Sequence, residues 1–92
     1  MKLVYSEDAV GDLIRLRSFI TEHDPTAAGR VAAELLQRLE NLPLLPAMGN
    51  VVVGTPIAGT IREIAFGDYV VRYMPRETVV IVLRIWHHFE DR

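Results

Sequence analysis

The apolar residues change their spacing about halfway along the chain, and this change constrains the fold more than any other feature. In the first half, apolar side chains recur at the spacing of one face of a helix. The clearest set is Ala9, Leu13, Leu16 and Ile20. In the second half, short runs rich in β-branched and aromatic residues are separated by tight connections such as Gly67-Asp68. The pattern predicts an α+β fold in which helices precede an antiparallel β-sheet.

The predicted element order is β-α-α-β-β-β, with a helical hairpin packed on one face of the sheet. Strands are expected at residues 2–5, 60–66, 69–74 and 78–86. Helix 1 is expected at about residues 7–22 with Ser6 as its N-cap. The second helix is expected to start at Asp24-Pro25, since Asp is a strong N-cap and Pro is tolerated at the first helical position.

Two further stretches carry predictions about the sheet. Residues 43–59 are rich in Pro and Gly and are expected to form a loop, in which Val51-Val52-Val53 is a short β-prone run at an edge. The run from Val79 to Leu83 is continuously apolar, which is typical of a strand buried on both faces.

Length and composition predict a single domain, residues 1–92, whose apolar content is so high that part of it must lie at the surface. A chain of 92 residues has room for one hydrophobic core. Half of its residues are hydrophobic, and its mean hydropathy of +0.19 is high for a small soluble domain. We therefore expect a partner, or a second copy of the chain, to cover part of this surface.

What the sequence lacks disfavours several classes of function. The net charge of −2 is not the basic footprint of a general nucleic-acid-binding protein. With no cysteine, disulfides, thiol catalysis and cysteine-based zinc sites are impossible. No nucleotide-binding or metal-binding motif is present, so no cofactor and no metal are expected. The N-terminus is not a signal peptide, and Pro and Gly interrupt the longest uncharged stretch, so we expect a cytoplasmic protein with no membrane partner.

Arg62, Arg72 and Arg84 each lie inside a predicted apolar strand. One interpretation places them on the open face of the sheet or pairs them with nearby acids. The candidate acids are Glu63, Asp68 and Glu77. The other interpretation is a cationic patch for phosphate or for an acidic protein segment. Strand register is not decided by the sequence, so both interpretations stay open.

His87-His88 is the candidate acid–base pair near the C-terminus, because histidine titrates close to neutral pH. His87 is interpreted either as a polar residue at a strand end or as a general acid, a general base or a contact to a target. Adjacent residues of an extended chain point to opposite sides, which disfavours a metal site here. Trp86 is expected in the core or at an edge. No nucleophile paired with a base is visible in the sequence.

Several motifs, taken in order, resemble the ParE/RelE superfamily of toxins from type II toxin–antitoxin modules, and the ParE branch is the closer match. The early motifs are Val4-Tyr5-Ser6, Asp24-Pro25-Thr26-Ala27-Ala28, Leu42-Pro43 and Met48-Gly49. The more specific ones are Ile57-Ala58-Gly59-Thr60-Ile61-Arg62-Glu63-Ile64, Tyr69-Val70-Val71-Arg72-Tyr73 and Leu83-Arg84-Ile85-Trp86-His87. The resemblance covers nearly the whole chain and implies the same element order.

The resemblance implies a growth-inhibiting, plasmid-stabilisation type of toxin that a small cognate antitoxin neutralises. In the ParE branch the toxin would poison DNA gyrase by binding, without catalysis, and no specific DNA binding of its own is expected. In the RelE branch it would be a ribosome-dependent endoribonuclease acting on mRNA. The residues that would carry that cleavage are Arg62, Arg84, His87 and His88. Candidate contacts to the target or antitoxin are Arg62, Arg72, Arg84, Trp86 and His87.

Two absences favour the gyrase-directed interpretation. The RelE branch uses arginine and lysine with a C-terminal tyrosine or histidine, whereas this chain has no lysine after Lys2 and no tyrosine after Tyr73. The negative net charge also disfavours binding to the negatively charged ribosomal RNA. An inactive member that still binds its antitoxin is the third interpretation.

Overall fold

A computed structural model describes residues 1–55 and 59–90 of the chain. Five strands and two α-helices follow one another in it. In chain order they are β1 (Lys2–Tyr5), α1 (Glu7–His23), α2 (Ala28–Glu40), β2 (Asn50–Val51), β3 (Arg62–Phe66), β4 (Tyr69–Pro75) and β5 (Val79–His87), with one 3₁₀ turn at Leu42–Leu44 after α2. The predicted α+β order is confirmed, and the edge fragment predicted near Val51 is β2. Residues 56–58, within the predicted loop and at the start of the motif at Ile57, lie outside the described residues.

The sheet has the strand order β1-β5-β4-β3-β2. The strands β2 to β5 pair antiparallel, as the tight connections predict. The N-terminal strand adds a parallel pair, with Lys2 opposite Val79 and Tyr5 opposite Val82. Because β1 ends there, it covers only the first half of one side of β5, and the second half pairs with β4 alone.

The helices lie on one face of this sheet, where a single hydrophobic cluster forms. Its members are Ala9 and Leu16 of α1, Leu35 and Leu39 of α2, Leu42, Phe66, Val71, Tyr73, Val80, Val82 and Ile85. The prediction that Val79–Leu83 is buried on both faces is wrong. Burial alternates along β5, with Val80 and Val82 fully buried and Ile81 half-buried, because helices cover only one face.

Local signals explain the start of α1, while α2 starts later than predicted. The Ser6 hydroxyl accepts the Ala9 N–H at 3.0 Å and donates to the Leu83 carbonyl at 2.9 Å, so it caps the helix and ties it to β5. The Asp24 carboxylate accepts the Ala27 N–H at 3.2 Å. That bond closes a turn that ends before the helix, and α2 begins at Ala28 without a side-chain cap.

Tyr73 attaches the loop before β2 to the sheet. Its buried hydroxyl accepts the Gly49 N–H at 2.9 Å and donates to the Pro46 carbonyl at 2.9 Å. A Cβ on Gly49 would lie 2.7 Å from the Tyr73 hydroxyl oxygen and 2.8 Å from the Glu63 carbonyl oxygen. Glycine is therefore required here by close approach.

Candidate functional site

Asp12 of α1 lies at the centre of the polar contacts beside β5, although its side chain is only 2% exposed. Its carboxylate pairs with Arg84, with Nε to Oδ2 at 2.8 Å and Nη2 to Oδ1 at 3.0 Å. It also accepts the Ile85 N–H at 2.8 Å and pairs with Arg15. Burial alone would raise the pKa of Asp12, but the hydrogen bonds from Arg84, Arg15 and the Ile85 N–H outweigh it and lower that pKa to about 2.

Arg15 and Glu90 continue these contacts towards the C-terminus. Arg15 Nε lies 2.8 Å from Glu90 Oε2, and Arg15 Nη2 donates to the Ile85 carbonyl at 3.0 Å. Glu90 Oε1 accepts the His87 N–H at 2.8 Å. We call the set Arg84–Asp12–Arg15–Glu90 the edge charge chain. It satisfies the backbone groups of β5 that β1 does not reach, which is the requirement on a buried strand edge.

The register of β4 and β5 places Arg72 opposite Arg84, an arrangement that is unfavourable for two like charges. Each guanidinium has its own carboxylate. Arg72 Nη2 and Nε lie 2.8 Å and 3.1 Å from Glu63 Oε2, and Glu63 is its partner on β3. Arg84 pairs with Asp12, which was not among the predicted partners.

Arg72 and Trp86 lie on the sheet face away from the helices. The burial alternation shows this for Arg72, because its neighbours Val71 and Tyr73 are fully buried on the helical face. The Arg72 guanidinium carbon lies 5.4 Å from the centre of the Trp86 ring, which is cation–π distance. Trp86 is half-buried, so its ring and the Arg72 guanidinium are both partly exposed on the open face.

Arg62 belongs to a different part of the molecule. Its Nη1 donates to the Gly49 carbonyl at 2.7 Å and to the Ala47 carbonyl at 3.3 Å. Arg62 is opposite Tyr73 in β4, whereas His87 is opposite Tyr69, four residues away along that strand. At about 3.4 Å per residue the two candidate residues are separated by roughly 14 Å along the sheet. Arg62 and His87 also lie on strands that β4 separates.

His87 is 9% exposed and lies in a cluster of rings. The centres of Phe19, Tyr69 and His88 are 5.0, 5.1 and 5.1 Å from its own. Burial, and then the charge of His88, lower the pKa of His87 from its ordinary value of 6.5. His88 is more exposed, and its Nδ1 lies 3.1 Å from the Asp68 carbonyl oxygen.

An apolar groove runs between α1 and α2. It has a volume of about 450 Å³, and its main lining residues are Leu13, Ile14, Leu16, Ile20, Leu35 and Leu36. We call it the helix groove. Ile14 is 68% exposed and Leu36 is 42% exposed, so the groove presents large apolar side chains to solvent. The small residues Ala28 and Ala32 on α2 leave room for it.

The edge charge chain was not identified from the sequence, and Asp12 was not singled out. The signal was present, because Asp12 comes three residues after Ala9 and four before Leu16, which puts it within the apolar stripe. In residues 1–55 and 59–90, no three His, Asp or Glu side chains come together in an arrangement that could hold a metal ion. None of the helices in this part of the chain is long and apolar enough to cross a membrane.

The chain resembles known proteins in both fold and sequence. A chain titled "Chromosomal ParDE TA system from P. aeruginosa" shares the fold with a TM-score of 0.75 at 16% identity, over 95% of each chain. Two curated relatives from Caulobacter vibrioides are also similar. Toxin RelE1 is 37% identical over 94 residues, 98% of this chain and 96% of its own length. Toxin RelE2 is 30% identical over 87 residues, which cover 94% of this chain and 93% of the length of RelE2.

Residues 3–92 match the family described as "ParE toxin of type II toxin-antitoxin system, parDE". The chain belongs to this family and is a toxin of the ParE/RelE superfamily.

Proposed function

We propose that this toxin arrests growth by binding DNA gyrase and trapping it on DNA, without nuclease chemistry of its own. The proposal rests on one observation: the side chains that RNA cleavage would need already bind other groups of the protein or are buried. Arg84 is paired with a buried carboxylate, Arg62 binds backbone carbonyls, and His87 is buried among rings.

Cleavage of RNA requires groups that activate the 2′-hydroxyl, stabilise charge at phosphorus and protonate the leaving oxygen. These groups must reach the same phosphate. The backbone positions of Arg62 and His87 are separated by roughly 14 Å along the sheet, which disfavours their acting together at one phosphate. The net charge of −2 also opposes tight binding to ribosomal RNA.

The alternative is a ribosome-dependent endoribonuclease. The names of the two Caulobacter relatives, RelE1 and RelE2, favour it. The exposed imidazole of His88 is the group that would be available for proton transfer, because His87 is buried.

We also propose that a cognate antitoxin covers the helix groove. The Pseudomonas neighbour comes from a ParDE toxin–antitoxin system, whose name points to a second component. An apolar groove between two helices fits the apolar face of an amphipathic helix. Covering Ile14 and Leu36 would remove apolar surface that is costly to leave in water.

The test compares two targets with one protein preparation. Purified toxin is added to gyrase with plasmid DNA, and in parallel to ribosomes translating a defined mRNA. We expect supercoiling to fall and cleaved DNA to accumulate, while the mRNA stays intact. Intact DNA together with mRNA cut at the ribosome would reverse the assignment.

A matched pair of surface variants tests whether any cleavage in the ribosome assay comes from the toxin's own imidazole. His88→Ala removes the exposed imidazole, and Arg30→Ala alters an exposed residue of α2 away from the candidate site. Cleavage of mRNA lost in the first variant and kept in the second would support the endoribonuclease. A folded toxin that is silent in both assays would be a member that only binds its antitoxin.

A further inference from the structure

All three histidines of the chain belong to one ring cluster at the C-terminal end of β5. Phe19 of α1 links them, with ring centres 4.1 Å from His23 and 5.0 Å from His87. His88 lies against His87 at 5.1 Å. The proposed function gives the buried ring of His87 no chemical role, so its surroundings call for a separate explanation.

The hydrogen bond at His87 Nδ1 reports the protonation state of its ring. This nitrogen accepts the Phe89 N–H at 3.1 Å. An imidazole nitrogen accepts a hydrogen bond only through a lone pair, so Nδ1 carries no proton in this arrangement. His87 is therefore neutral here, with its proton on Nε2.

That bond is one of several that close the C-terminal turn, residues 87–90. The Glu90 N–H donates to the His87 carbonyl at 2.9 Å, and the Glu90 carboxylate accepts the His87 N–H at 2.8 Å. Arg15 holds the same carboxylate at 2.8 Å from α1. Together these bonds keep the turn against the body of the protein.

We propose that residues 87–90 form a proton-operated latch, which is closed around neutral His87 and opens when that imidazole takes up a proton. The proton comes from solvent and occupies the Nδ1 lone pair. The Phe89 N–H then faces another N–H, so their hydrogen bond breaks. The positive charge would also be buried against Phe19 and Tyr69, which disfavours the closed turn.

Charged and titratable groups face His87 from every neighbouring element. They are His23 of α1, Asp68 and Tyr69 at the start of β4, and His88 and Glu90 of the C-terminal turn. Burial and His88 lower the pKa of His87, while Asp68 and Glu90 oppose that shift. The balance is a lowered pKa, so the latch is closed at neutral pH and opens on acidification.

Opening would release the N–H groups of Phe89, His87 and Glu90 together with the Glu90 carboxylate. Arg15 would lose its Glu90 partner and keep Asp12 and the Ile85 carbonyl. At the end of β5 the His87 N–H would then lose its acceptor. The inference is independent of the toxin's target, because it concerns only contacts within the chain.

The first experiment uses the full-length wild-type chain. NMR follows the His87 ring titration and the protection of the Phe89 and Glu90 amides, relative to intrinsic exchange, from about pH 8 to about pH 5. We expect the protection of both amides to fall by about tenfold or more on acidification. The midpoint pH of this fall should equal the midpoint of the His87 ring titration. Protection that stays constant while His87 protonates would overturn the proposal.

A pair of variants identifies the responsible ring. His87→Asn keeps a side-chain acceptor near the Nδ1 position but does not titrate, so protection of Phe89 should become independent of pH. The matched control, His88→Asn, should behave like wild type. A transition that survives in His87→Asn, or vanishes in His88→Asn, contradicts the latch. If His87→Asn does not fold, the wild-type chain still decides the proposal: the midpoint of the His87 titration and the midpoint of the loss of amide protection must coincide.

Discussion

The carboxylate of Asp12 replaces a neighbouring strand at Ile85: its Oδ2 accepts the Ile85 N–H at 2.8 Å, where β1 has already ended. A helix side chain thus completes the hydrogen bonding of the sheet. This contact joins residues that are 73 positions apart in the sequence. It also places a nearly buried negative charge where two arginines neutralise it.

Asp12→Asn should therefore lower stability substantially. The amide keeps an acceptor for the Ile85 N–H but loses the charge that pairs with Arg84 and Arg15. We expect a loss of about 3 kcal/mol in the free energy of unfolding, measured by urea denaturation. The control is Glu34→Gln, which removes the exposed pair with Arg30 and should cost less than about 0.5 kcal/mol. Equal effects in the two variants would refute the assigned role of Asp12.

Stability should depend on pH in two separate windows. The pKa of His87 is lowered from 6.5, so its contribution is complete above that value and is lost as pH falls through the folded-state pKa. The pKa of Asp12 is lowered from 3.8 to about 2, so its contribution is lost in that lower interval. Thermal melts across this range should show both losses. His87→Asn should remove the first loss, and Asp12→Asn should reduce the second, to which the lowered pKa of Glu90 also contributes.

Two glycine substitutions should have opposite effects. In Gly49→Ala the new methyl would lie 2.7 Å from the Tyr73 hydroxyl and 2.8 Å from the Glu63 carbonyl oxygen, so the loop must shift. We expect a loss of about 2 kcal/mol. Gly29→Ala on α2 meets open space and should stabilise the protein by about 0.5–1 kcal/mol. Chemical denaturation of both variants checks the signs, and stabilisation by Gly49→Ala would contradict the close approach.

Antitoxin binding should be sensitive to charge in the helix groove. Ile14→Arg places a charge on a residue that is 68% exposed, so folding should be little affected. We expect its Kd for the cognate antitoxin to rise by about 100-fold, measured by calorimetry. Leu44→Arg is the control, since Leu44 is 76% exposed and lies outside the groove. A similar loss of affinity in both variants would argue against the groove as the docking surface.

Local patterns were enough to predict most of the elements. The Ser6 cap and the apolar stripe of α1 act within one helix, and the turn at Gly67-Asp68 joins adjacent strands, so neighbouring residues determine them. The Asp24-Pro25 signal was less reliable, because a turn competed with the first helical turn and α2 began at Ala28.

The candidate site was predicted less completely. Glu63 was among the expected partners of Arg72, because the two residues lie on neighbouring strands and the register brings them opposite each other. The partner of Arg84 was not predicted, since Asp12 comes from a helix at the other end of the chain. No local pattern encodes a contact of that kind.

The order of the elements, the helical hairpin and the family could be predicted from the amino-acid sequence, because hydrophobic period, caps and motifs are properties of neighbouring residues. The parallel pairing of β1 with β5, the burial of Asp12 and the neutral state of His87 within a ring cluster became visible only in the folded chain. Hydrogen bonds act over about 3 Å. Which groups come within that distance depends on how the whole chain packs.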